Sequence, residues 1–219
     1  MMDLFDGFWR GRRVLVTGHT GFKGSWLTLW LRELGADVTG LSLPPPTSPS
    51  HWELLGLDIP QVIGDINEVA TVQTALEQSR PEIVFHLAAQ PLVRESYRTP
   101  VTTFRTNILG SLQLLDVCRV TPSVRAIVCV TTDKVYENRE WDWAYREVDP
   151  LGGYDRYSAS KACLELAVAS YRRSFWPSSR YRGEHSTLIA TARAGNVIGG
   201  GDWALDRLVP DSDAKRCSK

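Results

Sequence analysis

The chain has 219 residues, room for one complete α/β domain and the start of a second. Hydrophobic residues make up 43% and charged residues 23%, an ordinary globular balance; 25 basic against 25 acidic side chains leave no net charge, which argues against bulk electrostatic binding to nucleic acid. No apolar run reaches the roughly 18 residues of a membrane span, and the N-terminus lacks the basic start and apolar stretch of a secretory signal.

Arg13 to Thr17 is a compact β-branched run that ends at Gly18 and reads as a first strand. From Phe22 to Leu34, apolar residues recur at helical spacing (Trp26, Leu27, Trp30, Leu31, Leu34), and Gly35 supplies the stop. Asp37 to Leu43 reads as a second strand, which Pro44-Pro45-Pro46 cannot continue. Then come a short strand at Val62-Ile63, a helix over Val69 to Gln78 and a strand over Ile83 to Leu87. A long helix is predicted over Thr103 to Cys118, a strand over Ala126 to Val130, a helix over Tyr157 to Trp176 and a last strand over Thr187 to Thr191. Strands alternating with helices predict an α/β fold: a Rossmann-type doubly wound parallel sheet, with ligands at the carboxyl ends of the strands. Cys118, Cys129, Cys163 and Cys217 show no paired ligand spacing, and the four histidines are scattered, so no metal is predicted. The first three cysteines sit among apolar residues and read as buried, reduced thiols, which fits a cytoplasmic protein.

Between the first strand and first helix lies Gly18-His19-Thr20-Gly21-Phe22-Lys23-Gly24. A pyrophosphate needs free backbone N–H groups at a helix N-terminus, and any Cβ there blocks its approach. A glycine-rich structural turn would carry the same glycines, but the strand–turn–helix context favours a dinucleotide site; Lys23 adds positive charge. The second strand ends on Leu41-Ser42-Leu43, without the acidic residue that grips an adenosine ribose and without an obvious arginine for a 2′-phosphate. NAD is favoured and NADP left open. Leu87-Ala88-Ala89, after the fourth strand, has small side chains over which a flat cofactor can lie.

Tyr157 and Lys161 stand four residues apart, on one face of the predicted helix. A tyrosine with a pKa near ~10 is too weak a base at neutral pH. A cation about 5 Å away, at an effective dielectric of about 20, is worth roughly 3 kcal/mol, or about two pKa units. Tyr-x-x-x-Lys alone is common on surface helices; after a glycine-rich turn and alternating strands and helices it points to proton abstraction coupled to hydride transfer. Thr132-Asp133-Lys134 follows the fifth strand, where a Rossmann-type sheet collects its chemistry.

Four segments carry a resemblance: Gly18 to Trp26, Val130 to Trp141, Pro150 to Asp155 and Gly195 to Trp203. With them the chain, from about Phe5 to Asp211, resembles the extended short-chain dehydrogenases/reductases and, among these, the CDP-glucose 4,6-dehydratases. The resemblance implies an NAD-binding Rossmann domain over residues 1–193 and the start of a nucleotide-sugar lobe over 194–219, cut short and ending in an atypical polar tail from Ser212. It implies conversion of CDP-glucose to CDP-4-keto-6-deoxyglucose, with the activity of so short a chain open. Tyr157 would take the 4-hydroxyl proton, helped by Thr132 and Lys161, and Asp133 would protonate the departing 6-hydroxyl. Lys134 would be the base at C5 or would orient the acid; related enzymes acting on dTDP-glucose carry Glu at that place. Asp65 and Ile66 would lie against the adenine, and Gln90 and Asn196 would contact the substrate. A homodimer or higher homo-oligomer through the Thr103–Cys118 and Tyr157–Trp176 helices is expected, with a place in deoxysugar synthesis for bacterial surface polysaccharide. A nucleotide-sugar epimerase or reductase, or a non-catalytic cofactor-binding remnant, are the alternatives.

Overall fold

The structure, a computed structural model, describes residues 4–207. The tail from Ser212 on and Cys217 lie outside the described residues. Six strands form one parallel sheet: β1 (Arg13–Thr17), β2 (Asp37–Ser42), β3 (Gln61–Ile63), β4 (Ile83–His86), β5 (Ala126–Val130) and β6 (Leu188–Ala192). Their order is β3-β2-β1-β4-β5-β6. The order reverses between β1 and β4, and a crevice opens there at the carboxyl ends.

Strand periodicity explains the two cores. Val14 and Val16 point to one face and Leu15 to the other, all fully buried, as a sheet covered on both sides requires. On the Val14 side lie α1 (Phe22–Glu33) and α2 (His51–Leu55), through Leu31 and Trp52. On the Leu15 side lie α3 (Val69–Ser79), α6 (Ser111–Arg119) and α7 (Arg156–Ser174), through Leu76, Leu114, Leu115, Leu164 and Val168. Two short helices, α4 (Val93–Arg98) and α5 (Pro100–Phe104), precede a π-helical stretch at Arg105–Gly110 that runs into α6.

The helix predicted over Thr103 to Cys118 is therefore longer and composite. It starts at Pro100, a residue suited to a first helical position. It widens where Asn107 and Gly110 are buried; a Cβ at Gly110 would sit 2.9 Å from the Ile66 side chain. In α1 the periodic tryptophans located the helix but not its buried face. Gly24, Ser25, Thr28 and Leu31 face inward, whereas Trp26 stacks on His51 at 4.4 Å and Trp30 is half exposed. Cys118 and Cys129 are buried, and burial pushes both thiols up, Cys129 to about 12. Cys163 departs from expectation: it faces outward from α7.

Candidate active site

The turn after β1 is shaped for close backbone approach. Gly18 has φ +77°, and a Cβ on it would lie 2.8 Å from the Ala88 nitrogen; one on Gly24 would lie 2.0 Å from the Gly18 oxygen. The first glycine thus lets the turn rest against the end of β4, and the third lets α1 dock onto the turn. Gly21 is the N-cap of α1, and no side chain caps the helix. Its first N–H groups open into a cleft of about 490 Å³, with the positive end of the helix dipole behind them. These residues fit a dinucleotide pyrophosphate. Lys23 lines the same cleft, its ammonium disfavoured by burial and by the nearby Arg207, a place where an anion would be welcome. His19 instead points away, under the sheet. Its Nε2 meets Gln61 Oε1 at 3.0 Å, its ring packs edge-on against Trp52, and Gly40 leaves room for it.

The cleft floor, Leu87-Ala88-Ala89, is held by a buried hydroxyl–imidazole chain. Ser111 donates to the Asn107 carbonyl at 2.9 Å, so its oxygen can only accept from His86 Nε2 at 2.7 Å. That fixes the tautomer: His86 Nδ1 accepts from Thr17 at 2.7 Å, and the Thr17 oxygen accepts the Leu87 and Ala88 N–H groups at 3.2 Å. Burial holds His86 neutral, at about 3.

From α7, Tyr157 enters the cleft beside Thr132. Asp155 caps this helix, accepting from the Ser158 N–H at 2.9 Å, which aims its first turn at the sheet ends. Lys161, one turn on, donates to the Val130 carbonyl at 3.0 Å and is 4% exposed. Burial and the Lys23 ammonium lower it to about 8. Here the expected electrostatics need correction. Burial pushes the Tyr157 phenol above its ordinary value, and it is the Thr132 hydroxyl and Arg207 that oppose this. Lys161 donates to the strand-end carbonyl of Val130, and the groups that shift the phenol are its burial, Thr132, Arg207, Asp155 and Asp133.

Thr132 accepts the Lys134 N–H and donates to Asp133 Oδ1 at 3.0 Å. Lys134 Nζ lies 3.3 Å from both Asp133 Oδ1 and Asn196 Oδ1, tying the segment after β5 to that after β6. Both side chains of this ion pair stay about half exposed. Behind them sits Glu165, 4% exposed, one turn beyond Lys161. Its carboxylate accepts from Thr131, from Thr191 at 2.8 Å and from both edges of Arg193 at 2.8 and 2.9 Å. Arg193 also donates to the Tyr136 hydroxyl at 2.6 Å.

Asp65 and Ile66 lie on the cleft wall beyond β3, where Asp65 accepts from the Asn67 backbone and amide, both at 2.9 Å. Gln90 does not join the cleft: its amide donates to Leu92 O and Thr103 Oγ1 and accepts the Leu92 N–H, so its polar atoms are engaged within its own loop. Next to it lies a residue that sequence reasoning missed. Buried Asn107 accepts the Gln90 N–H at 2.8 Å and donates to the Gln90 carbonyl and to Ser160, which sits between Tyr157 and Lys161. An asparagine inside an apolar helical run was the available signal. A hollow of about 640 Å³ between the ends of α3 and α6 holds none of the predicted residues. Among the described residues there is no group of three His, Cys, Asp or Glu that could hold a metal, and no helix long and apolar enough to cross a membrane.

A parallel sheet in this order, a glycine turn into an uncapped helix and a Tyr-x-x-x-Lys helix beside the crevice together define an epimerase/dehydratase domain of the short-chain dehydrogenase/reductase type. The chain belongs to the GDP-mannose 4,6 dehydratase family, whose model matches residues 15–178. It is 52% identical to CDP-glucose 4,6-dehydratase of Salmonella typhimurium, over 93% of this chain and 57% of that one. It is similar to the solved UDP-glucose 4-epimerase of Thermus thermophilus in complex with NAD, with TM-score 0.72 and 30% identity over 85% of this chain and 56% of that one. It shares its fold with the dTDP-glucose 4,6-dehydratase DesIV of Streptomyces venezuelae: TM-score 0.80, 24% identity, 94% of this chain and 62% of that one. The chain thus spans little more than half the length of these relatives.

Proposed function

We propose that this chain carries the NAD-binding and catalytic half of a CDP-glucose 4,6-dehydratase. The observation that carries the reading is the meeting, in one cleft, of the pyrophosphate-shaped turn, Tyr157 and the Thr132-Asp133-Lys134 segment. The solved NAD complex of the Thermus epimerase and the identity to the Salmonella enzyme support it.

Gly18, Thr20, Gly21, Phe22, Lys23 and Gly24 would hold the pyrophosphate, Asp65 and Ile66 the adenine, and Leu87, Ala88 and Ala89 would floor the cofactor. NAD held by these residues would supply a hydride acceptor for the sugar C4 and the hydride donor for C6. The chain does the proton work. Tyr157 takes the 4-hydroxyl proton, with Thr132 bonding the same oxygen and Lys161 steadying the ribose. Once C4 is a ketone, its neighbour C5 is acidic. Asp133 then gives its proton to the departing 6-hydroxyl, Lys134 beside it takes the proton from C5, and water leaves. Lys134 is half exposed and lies 3.3 Å from both Asp133 Oδ1 and Asn196 Oδ1, so it also orients the acid. Asn196 would reach the substrate from the β6 side.

The Asp133→Asn variant is expected to fold and bind NAD like wild type while elimination slows by about a hundredfold or more, the usual worth of a positioned acid. Product formation from CDP-glucose at the wild-type rate would remove Asp133 from the mechanism. Exposed Val101, Leu109 and Leu166, at 78, 54 and 57%, support a homodimer through the long helices. On the same reading its place is in deoxysugar synthesis for surface polysaccharide, in the cytoplasm.

A further inference from the structure

The pole opposite the cleft carries charge that neither cofactor nor sugar uses. All six strands are parallel, so their amino ends and the last turns of α6 and α7 share one side of the domain, away from the carboxyl-end crevice. Between Tyr171 and His185 the sequence has four arginines, Arg172, Arg173, Arg180 and Arg182, against one carboxylate, Glu184. Arg119 at the end of α6 and Arg125 ahead of β5 join them in space. The Arg119 guanidinium lies 5.0 Å over the Phe175 ring, and Arg125 donates to the Ser186 hydroxyl.

These cations outnumber their internal partners. Asp116 pairs with Arg119 and Glu184 with Arg180, both at 2.9 Å. Among the described residues, Arg125, Arg172, Arg173 and Arg182 meet no carboxylate at ion-pair distance. The helix dipole accounts for Arg119, Arg172 and Arg173, which stand in last turns. It does not account for Arg125 and Arg182, which belong to no helix. Exposed apolar side chains lie among the charges: Val120 follows Arg119, and Phe175 follows the Arg172-Arg173 pair by two residues. The rings here are already engaged. Phe175 has Arg119 over it and Tyr171 edge-on at 5.2 Å, Tyr181 has Arg182 at 5.6 Å, and Trp176 is buried. The bases of a single-stranded nucleic acid need free rings to stack on. A layer of phosphate headgroups needs none: it takes guanidinium groups spread over a surface, and apolar side chains between them reach its hydrocarbon boundary.

We propose that this pole is a reversible docking surface for anionic phospholipid, with Arg119, Arg125, Arg172, Arg173, Arg180 and Arg182 meeting headgroup phosphates while Phe175 and Val120 enter the layer beneath. The chain as a whole is neutral, so the attraction comes from where the charges stand and acts in one orientation only. That orientation turns the cleft away from the bilayer and leaves it open to soluble ligands.

Co-sedimentation of the whole chain with vesicles tests this. The chain is expected to bind phosphatidylcholine vesicles that contain phosphatidylglycerol, not vesicles of phosphatidylcholine alone, and to be released as salt rises above about 0.1 M, where screening acts within about 10 Å. Arg172→Gln with Arg173→Gln is expected to weaken binding by about 25-fold, at about fivefold for each cation near an anionic surface. Arg98→Gln with Arg139→Gln makes the same change of charge on the cleft side and is expected to leave binding unaltered. No binding to the anionic vesicles by a chain that is folded by circular dichroism overturns the inference, as does equal binding to both kinds of vesicle or equal loss in the two double variants. Binding of single-stranded DNA or polyglutamate through Arg172 and Arg173, without binding of vesicles, overturns it too and gives the surface to another polyanion. None of these outcomes bears on the cofactor reading, because the cleft lies at the other pole.

Discussion

Lys161→Met is expected to melt at a higher temperature than the wild-type chain and to support no turnover. The ammonium is buried, and its folded-state value of about 8 lies below the ordinary 10.5. At pH 7 that difference costs the folded state roughly 3 kcal/mol. Losing the bond to the Val130 carbonyl returns about 1 kcal/mol of this, leaving a net gain of about 2 kcal/mol, or roughly 4–8 °C for a chain of this size. Because the folded value is the depressed one, the unfolded chain binds more protons between pH 8 and 10.5. Wild-type stability therefore climbs as pH rises through that window, and the methionine variant lacks the climb. Urea unfolding at pH 7 and pH 10 checks this; a variant less stable than wild type at pH 7 would show that the ammonium is a structural asset. A stability cost held at one residue is what a functional site demands.

Glu165→Ala is expected to destabilise the domain by about 3–5 kcal/mol, the cost of breaking a buried ion pair from one side. Burial pushes this carboxyl up, but Arg193, Thr131 and Thr191 together hold it below its ordinary value. Those three donors come from the segments after β5 and within and after β6, while Glu165 itself belongs to α7. One carboxylate thereby fixes the Thr132-Asp133 segment against the helix that carries Tyr157. Removing it leaves the largely buried Arg193 with only the exposed Glu147 carboxylate and the Tyr136 hydroxyl as partners, whereas Glu165→Leu with Arg193→Met should recover most of the loss, since it strands no buried charge. Chemical denaturation of the single and double variants decides the matter. An Ala variant within about 1 kcal/mol of wild type would mean that the pair is dispensable.

The fold was legible because β1, β2 and β3 are short runs closed within two residues by glycine or proline, because β4 and β5 are short apolar runs, and because Val14-Leu15-Val16 has no polar break. What escaped was short or composite. α2 and α4 have too few residues to show a period, although Ser50 and Glu53 form a capping box that marks the start of α2. The site was legible where chemistry depends on spacing, as in Gly18 to Gly24 and Tyr157 to Lys161. It was illegible where partners come together only in space: Asn107 with Gln90 and Ser160, or Glu165 with Arg193, 28 residues away. The environment of Tyr157 belongs to the same class, since burial sets its direction and no pattern in the sequence reports burial at a cleft.

On the proposed function this chain holds the dehydrating half of a nucleotide-sugar dehydratase. Incubating the purified chain with CDP-glucose and NAD, and following the sugar by NMR, tests it most directly. Appearance of a C6 methyl group with loss of the C4 proton signal, giving a 4-keto-6-deoxy sugar, is the predicted result. Recovery of unchanged CDP-glucose from a chain that binds NAD, or a sugar inverted at one carbon with its 6-hydroxyl intact, would contradict it.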